Sequence, residues 1–169
     1  MTIEFPSPTI PADDRAEVFT RYLDYFRETL LAKTAALPAP DLRTSRLPSG
    51  WTPLELVKHL RHVERRWIEW GFEGRPVDDP WADQRDDRWH VDEAETLEKL
   101  TAELREQGAY TTAAITGNAL DAVGRPGPRW GGGDPATLER VCFHLVQEYA
   151  RHLGHLDIVA ELAGVPTGE

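Results

Sequence analysis

Apolar residues recur every three or four positions in four long stretches of the chain, the spacing that places them on one face of an α-helix. These stretches cover roughly residues 12–37, 52–72, 92–120 and 134–163. No segment shows the two-residue alternation that is typical of a half-buried strand. The pattern therefore predicts an all-α protein in which a single domain, residues 1–169, forms a four-helix bundle.

The last three predicted helices each have a polar residue suited to their N-terminus. Thr52 stands three residues before Glu55, which is the spacing of a capping box. Asp92 and Glu95 repeat this spacing before the third helix, and Asp134 precedes the fourth. We expect these three helices to begin at those residues.

The connections between the predicted helices are polar and rich in glycine and proline. The connection between the second and third helices is long, about 20 residues, and loops of that length often serve as lids or crossover connections. Three tryptophans fall in the predicted loops, where they either roof a pocket or simply pack: Trp81, Trp89 and Trp130.

Composition narrows the classes of partner. The formal net charge of −10 argues against nucleic acids and anionic membrane surfaces, both of which attract basic patches. No apolar run approaches the roughly 18 residues of a transmembrane helix, and the acidic, proline-containing N-terminal stretch does not resemble a signal peptide. The single cysteine, Cys142, lies on the apolar arc of its helix and is expected to be a packed hydrophobe. These features predict a cytoplasmic protein.

The fourth predicted helix carries an unusual amount of metal-ligand chemistry. On a helical wheel, His144, Glu148, His152 and His155 form one stripe that begins inside the apolar arc and leans off its edge. A buried carboxylate is costly unless it is paired or coordinates a metal ion. The stripe is about 16 Å long, so a single ion cannot take all four groups. Glu148 and His152, one turn apart and nearest the core, are the favoured pair.

The second predicted helix can supply a third ligand. His59 lies at the edge of its apolar arc, whereas His62 lies further towards the polar side. Together with Glu148 and His152, His59 would give three protein ligands and an open position, as in catalytic zinc sites. Core histidines that are hydrogen-bonded, without any metal, are the alternative.

Two motifs make the chain recognisable. "GWTPLELVKHLRHVERRW" and "HLVQEYARHLGHLDIVAELAG" resemble the DinB superfamily of metal-binding four-helix bundles, and in particular its actinobacterial branch of mycothiol S-transferases. The superfamily's first ligand is a histidine about eight residues after a tryptophan, which matches His59 after Trp51. Many members have His-x-x-x-His in the last helix, with a glutamine three residues further on. This chain has Glu148, His152 and His155 there, and its glutamate resembles the pattern of a relative, mycothiol-dependent maleylpyruvate isomerase.

The resemblance implies a function as well as a fold. It implies that a divalent metal, zinc or else nickel or another transition metal, is held by His59, Glu148 and His152. Mycothiol would be the co-substrate, conjugated to an electrophilic small molecule in a detoxification reaction. The alternatives are a thiol-dependent isomerase, a metal-dependent hydrolase and a non-enzymatic stress protein that binds a metal or small ligand. A homodimer is compatible with the sequence.

Other residues have weaker roles in this hypothesis. His155, His62 and His144 are candidates for alternate ligands or for hydrogen-bond partners of the ligands. Arg66 and Arg151 fall on the polar flanks of the stripes, where they either hold a carboxylate or sugar of the thiol or are simply solvated. No catalytic residue is predicted beyond the metal site.

Overall fold

The computed structural model describes residues 4–167 and confirms an all-α four-helix bundle. The helices are α1 (Arg15–Ala36), α2 (Pro53–Arg65), α3 (Leu97–Thr116) and α4 (Leu138–Ala163). Helix α2 continues without interruption into a π-helical segment, Arg66–Phe72. Short 3-10 helices at Ala39–Arg43 and Pro128–Trp130 lie in the connections before α2 and before α4.

The predicted capping box of α2 is present. The Thr52 hydroxyl accepts a hydrogen bond from the backbone N–H of Glu55 (3.4 Å), and the Glu55 carboxylate accepts one from the backbone N–H of Thr52 (2.7 Å). Two of the four N–H groups that a helix leaves free at its start are thus satisfied reciprocally. The cap places His59 two turns inside a firmly started helix.

The predicted start of α3 at Asp92 is wrong. The cap is Thr96, whose hydroxyl accepts from the backbone N–H of Lys99 (3.2 Å). The Glu95 carboxylate instead accepts from the backbone N–H of Asp92 (2.7 Å) and from the ammonium of Lys58 on α2 (2.8 Å). These contacts hold residues 92–95 in a turn against α2, so the helix begins one turn later.

The predicted start of α4 at Asp134 is also wrong. The cap is Thr137, which accepts from the backbone N–H of Arg140. An antiparallel bridge between Val123 and Thr137 keeps the chain extended up to that point, and the backbone N–H of Gly124 donates to the carbonyl of Ala136 (2.9 Å). A segment paired in this way cannot also turn into a helix.

The helices do not follow one another around the bundle. Helix α1 packs against α3 and α4, and α2 packs against α3 and, less extensively, α4, so α1 and α2 are diagonal to each other. The α1–α2 and α3–α4 connections therefore cross the ends of the bundle. The long connection from 73 to 96 joins two neighbouring helices, α2 and α3. It is longer than such a link needs to be, so part of it can fold back over the bundle.

Part of that connection forms a small β-hairpin. Strands β1 (Gln84–Arg85) and β2 (Arg88–Trp89) pair in antiparallel fashion around the two-residue turn Asp86–Asp87. Both turn residues have positive φ, 52° and 59°, as a type I′ turn requires, and aspartate tolerates this conformation better than most residues. Strands of two residues are too short to produce an alternating pattern, so the sequence did not reveal them.

The bundle interior is mainly leucine, and burial of these side chains supplies the main driving force for folding. The fully buried apolar residues include Leu23, Leu30, Leu56, Leu60, Leu104, Leu145 and Leu156.

A polar network of Arg27, Glu64 and Tyr149 lies among these leucines and joins α1, α2 and α4. Arg27 donates through Nε to Glu64 Oε1 (2.7 Å) and the Tyr149 hydroxyl lies 2.5 Å from the same oxygen. Gly108 of α3 makes room, because a Cβ there would lie 2.7 Å from the Arg27 side chain.

Within residues 4–167, no helix is both long enough and apolar enough to cross a membrane.

Candidate metal centre

Three side chains from two helices converge inside the bundle. His59 of α2 meets Glu148 and His152 of α4, and one ligand atom from each residue lies within 4.8 Å of the others. Glu148 and His152 are one helical turn apart, which stacks them on the same face of α4. These are the three residues that the sequence singled out as metal ligands.

His59 is held by a carboxylate from the 73–96 connection. Its Nδ1 lies 2.9 Å from Oδ2 of Asp83, a fully buried carboxylate just before β1. With Nδ1 donating to Asp83, the lone pair of Nε2 is free for a metal ion, the arrangement in which a carboxylate fixes the tautomer of a metal-binding histidine. Burial lowers the pKa of His59 and so favours the neutral imidazole, the form that coordinates metals.

Arg66 reaches the same carboxylate. Its Nη1 donates to Asp83 Oδ1 (2.6 Å) and its Nη2 to Oδ2 (3.1 Å), while the guanidinium lies 4.3 Å from the centre of the Trp81 ring. Burial alone would raise the pKa of Asp83, but the hydrogen bonds from His59 and Arg66 outweigh it and lower that pKa to about 2. The expectation that Arg66 lies on a polar flank is wrong, because the 73–96 connection covers it and leaves it 3% exposed.

Glu148 lies between two imidazoles. Its Oε1 is 3.2 Å from Nε2 of His144, and its Oε2 is 3.3 Å from Nε2 of His152. These contacts, with His144 the larger influence, hold the pKa of the Glu148 carboxyl far below its ordinary value. The carboxylate is therefore ionised, and His144 orients it as a neighbour of the ligand group.

His152 faces His59 across the group, with ring centroids 5.2 Å apart. The side chain is buried, and among the described residues its Nδ1 has no hydrogen-bond partner. His155 is one turn further along α4, with its ring 5.8 Å from that of His152 and 6.4 Å from that of Trp51. It lies at the edge of the group and does not belong to it.

The remaining predicted residues lie away from the three ligand atoms. His62 is 2% exposed and its Nδ1 finds no partner within residues 4–167, but it is outside the convergent group. Arg151 is exposed on α4. Cys142 is fully buried, and burial raises the pKa of its thiol to about 12, which agrees with its expected role as a packed hydrophobe.

The donor set fits a divalent transition metal. Two neutral imidazoles and one ionised carboxylate are ligands that zinc accepts, and three protein ligands leave a fourth position open, as in catalytic sites. The carboxylate would also offset part of the ion's charge, so that burial of the ion between the helices costs less free energy. Within residues 4–167 the buried Nδ1 of His152 has no hydrogen-bond partner, so hydrogen bonds from the described residues do not satisfy the whole cluster.

Asp83 is the residue that sequence reasoning missed. The connection contains six aspartates, and nothing in their order shows which of them folds back onto α2: Asp78, Asp79, Asp83, Asp86, Asp87 and Asp92. The useful signal was indirect, because a metal-binding histidine usually donates its second ring nitrogen to a carboxylate. Such a partner is therefore expected for His59, and the long connection contains candidate carboxylates.

The bundle and its His-Glu-His cluster define a protein of the DinB type, which confirms the resemblance. The family model of mycothiol-S-transferases matches residues 18–164, and the chain belongs to that family. A comparison with curated proteins finds no match.

A solved structure shares the fold. It is YfiT from Bacillus subtilis, described as a "probable metal-dependent hydrolase with an unusual four-helix bundle topology". The similarity has a TM-score of 0.65 at 18% sequence identity, and it covers 96% of this chain and 95% of that chain. At this identity the likeness is one of fold.

Proposed function

We propose that the protein is a metal-dependent transferase that joins a low-molecular-weight thiol, mycothiol, to an electrophilic small molecule. The observation that carries the proposal is the convergence of His59, Glu148 and His152 within 4.8 Å. Three protein ligands would leave the fourth position of a tetrahedral zinc ion open. Membership of the mycothiol-S-transferase family supports the choice of thiol. A role in detoxification of electrophiles would follow.

Zinc, the ion that we propose for this donor set, would lower the pKa of a thiol placed at the open position, so that it reacts as the thiolate. The protein's own contribution is positional. Asp83 fixes the imidazole of His59, and His144 contacts the carboxylate of Glu148 on the side away from His152. The nucleophile must come from outside, because the chain's single cysteine is buried in the core.

The reaction balances without any further reactant. With monobromobimane as acceptor, the thiol sulfur forms a bond to the bromomethyl carbon and the carbon–bromine bond breaks. Bromide leaves with the bonding electron pair, and the thiol proton passes to solvent. No oxidant or reductant is needed.

The test begins with metal analysis of protein purified without a histidine tag. Conjugation of mycothiol to monobromobimane is then measured before and after chelation, with glutathione and cysteine as comparison thiols. We expect conjugation with mycothiol that is lost on chelation and restored by zinc. Conjugation that survives complete removal of metal, or its absence with every thiol in loaded protein, would refute the transferase.

Variants of the ligands sharpen the result. His59→Ala should lose both metal and activity while keeping its helical circular dichroism, since the leucine core does not depend on it. Glu148→Gln should slow conjugation at neutral pH and recover at higher pH, because the neutral amide binds the ion more weakly, and thiol that meets metal-free protein stays protonated at neutral pH. His90→Gln is the matched control: this histidine lies in the 73–96 connection and pairs with Asp92, away from the ligand group.

A hydrolase is the second candidate, because the same open position would accept a water molecule. The fold likeness to YfiT, described as a probable hydrolase, favours testing it. Release of nitrophenol from a nitrophenyl ester by metal-loaded protein without any thiol would favour hydrolysis. A requirement for thiol in every reaction would exclude it.

A further inference from the structure

A cleft with aromatic walls opens beside the candidate metal centre. It has a volume of about 690 Å³ and lies between α1, the π-helical segment and α4. We call it the aromatic cleft after five of its lining residues, Phe19, Trp67, Trp130, Phe143 and His144; acidic and basic side chains also line it. A volume of this size suits a small organic ligand, since such sites typically measure about 300–1,000 Å³.

The aromatic cleft is continuous with the ligand group through one residue. The His144 ring is 4.4 Å from the ring of Trp67 in the cleft wall, and its Nε2 is 3.2 Å from the Glu148 carboxylate. A molecule in the cleft therefore lies one side chain away from the carboxylate edge of the proposed metal site.

The walls are held in place before any ligand arrives. The guanidinium of Arg129 lies 3.8 Å from the centre of the Trp67 ring, an arrangement that favours a fixed indole. The Trp130 indole N–H donates to the carbonyl of Arg125 (2.9 Å). Phe143, by contrast, is 64% exposed, so a ligand that covers its ring would remove apolar surface from water.

A second, smaller cleft lies at the opposite end of the histidine stripe, and fewer aromatic rings line it. It has a volume of about 360 Å³, and its lining combines two tryptophans with hydroxyl and charged groups: Ser49, Trp51, Glu55, Asp87, Arg88 and Trp89. It reaches the ligand group through Trp89, whose ring stacks on His59. We call it the polar cleft.

A transferase needs places for two substrates, and the two clefts differ in volume and in the number of aromatic rings that line them. We propose that the aromatic cleft binds the electrophile, and that this electrophile is a compound with a planar ring system. This inference rests on the proposed thiol transfer. Aromatic walls gain by stacking on a planar ring and by removing its apolar surface from water. The polar cleft, with its hydroxyl and charged groups, is left for the hydrophilic part of the thiol.

Binding can be measured without turnover. Dimethylbimane, which lacks the reactive bromine, keeps the planar ring system of monobromobimane, and its fluorescence is quenched by an indole in contact. Titration of protein into dimethylbimane should quench it both with and without metal, because the walls do not include the proposed ligands. Trp130→Phe should reduce the quenching, and Phe143→Ala should raise the dissociation constant about tenfold, equivalent to about 1.4 kcal/mol.

Trp51→Phe is the matched control, since Trp51 lines the polar cleft. It should leave dimethylbimane quenching unchanged. Phe143 is mostly exposed, so its replacement should not unfold the bundle, and circular dichroism checks this. Unchanged binding in both aromatic-cleft variants, or loss of binding in Trp51→Phe, would overturn the assignment.

Steady-state kinetics distinguish binding of the electrophile in the aromatic cleft from the conjugation reaction. In Phe143→Ala, KM for monobromobimane should rise about tenfold while KM for the thiol is unchanged, and turnover of iodoacetamide, which has no ring, should be unaffected. Conjugation that is indifferent to both cleft variants would refute the cleft assignment and leave the transferase standing. Cleft-dependent binding of dimethylbimane without conjugation of any electrophile would refute the transferase alone.

Discussion

Trp89 lies flat against His59, with ring centroids 4.0 Å apart and planes inclined by 21°. Trp89 is in strand β2, and Asp83, which binds the edge of the same imidazole, comes just before strand β1. The hairpin between α2 and α3 thus holds one side chain by its face and by its edge. The 73–96 connection is part of the candidate site, and its length allows it to fold back onto His59.

The first prediction concerns Asp83. In Asp83→Asn, the zinc dissociation constant should rise about 10- to 100-fold, because the amide neither fixes the His59 tautomer as firmly nor increases its basicity. Competition with a chromophoric chelator measures the change. Asp87→Asn, in the exposed hairpin turn, is the control and should bind zinc as the wild type does. Equal affinities for the two variants would show that Asp83 does not support the site.

Much of the candidate site could be predicted from the sequence because it is recorded in helical periodicity. An (i, i+4) pair such as Glu148 and His152 must share a face in any regular helix, and the capping box at Thr52 fixes where α2 begins. Burial of a carboxylate beside histidines on an otherwise apolar face then indicates a metal. These inferences need no knowledge of how the connections fold.

What could not be predicted depends on the connections. Asp83 and Trp89 reach His59 because a two-residue turn within the 73–96 connection folds the chain back. A polar connection of this kind carries no periodic pattern of apolar residues from which the turn could be predicted. Arg66 was misplaced for the same reason: a helical wheel gives its direction, but the loop that buries it is invisible to the wheel. Thr137, too, caps α4 only because a single backbone bridge to Val123 delays the helix.

A second prediction tests the buried ion pair between Arg27 and Glu64. Both side chains are almost completely inaccessible to solvent, so Arg27→Ala leaves a carboxylate buried without its cation. The free energy of unfolding should fall by about 3–5 kcal/mol, measured by urea denaturation. Arg105→Ala, which breaks an exposed pair with Glu28, should cost less than about 1 kcal/mol. Similar losses in the two variants would contradict a special role for the buried pair.

A third prediction links His62 to the pH dependence of stability. Burial lowers the pKa of His62 from its ordinary 6.5 to about 4; the carboxylate of Asp83 opposes this shift, and the charges of Arg61, Arg65 and Arg66 reinforce it. The unfolded chain therefore takes up a proton at a higher pH than the folded one. The contribution of His62 to stability is present above pH 6.5 and is lost as the pH falls towards 4.

Over that interval the loss should reach about 3 kcal/mol, from about 1.4 kcal/mol per pKa unit. Urea denaturation of metal-free protein between pH 4 and 7 measures it, and His62→Leu should flatten the curve by this amount. His90→Gln is the control, because His90 is partly exposed and paired with Asp92. A wild-type curve parallel to that of His62→Leu would show that the imidazole titrates normally.

The last prediction concerns Cys142 and tests whether this cysteine could act as the nucleophile in the conjugation assays. The side chain is fully buried and the pKa of its thiol is raised from 9.0 to about 12, so almost no thiolate forms at neutral pH. Iodoacetamide should therefore leave the native protein unmodified and add one carboxamidomethyl group only after unfolding in urea, as read by mass spectrometry. Cys142→Ala should keep the full rate of thiol conjugation. Rapid alkylation of the native protein, or loss of activity in a folded Cys142→Ala variant, would instead make this cysteine the nucleophile.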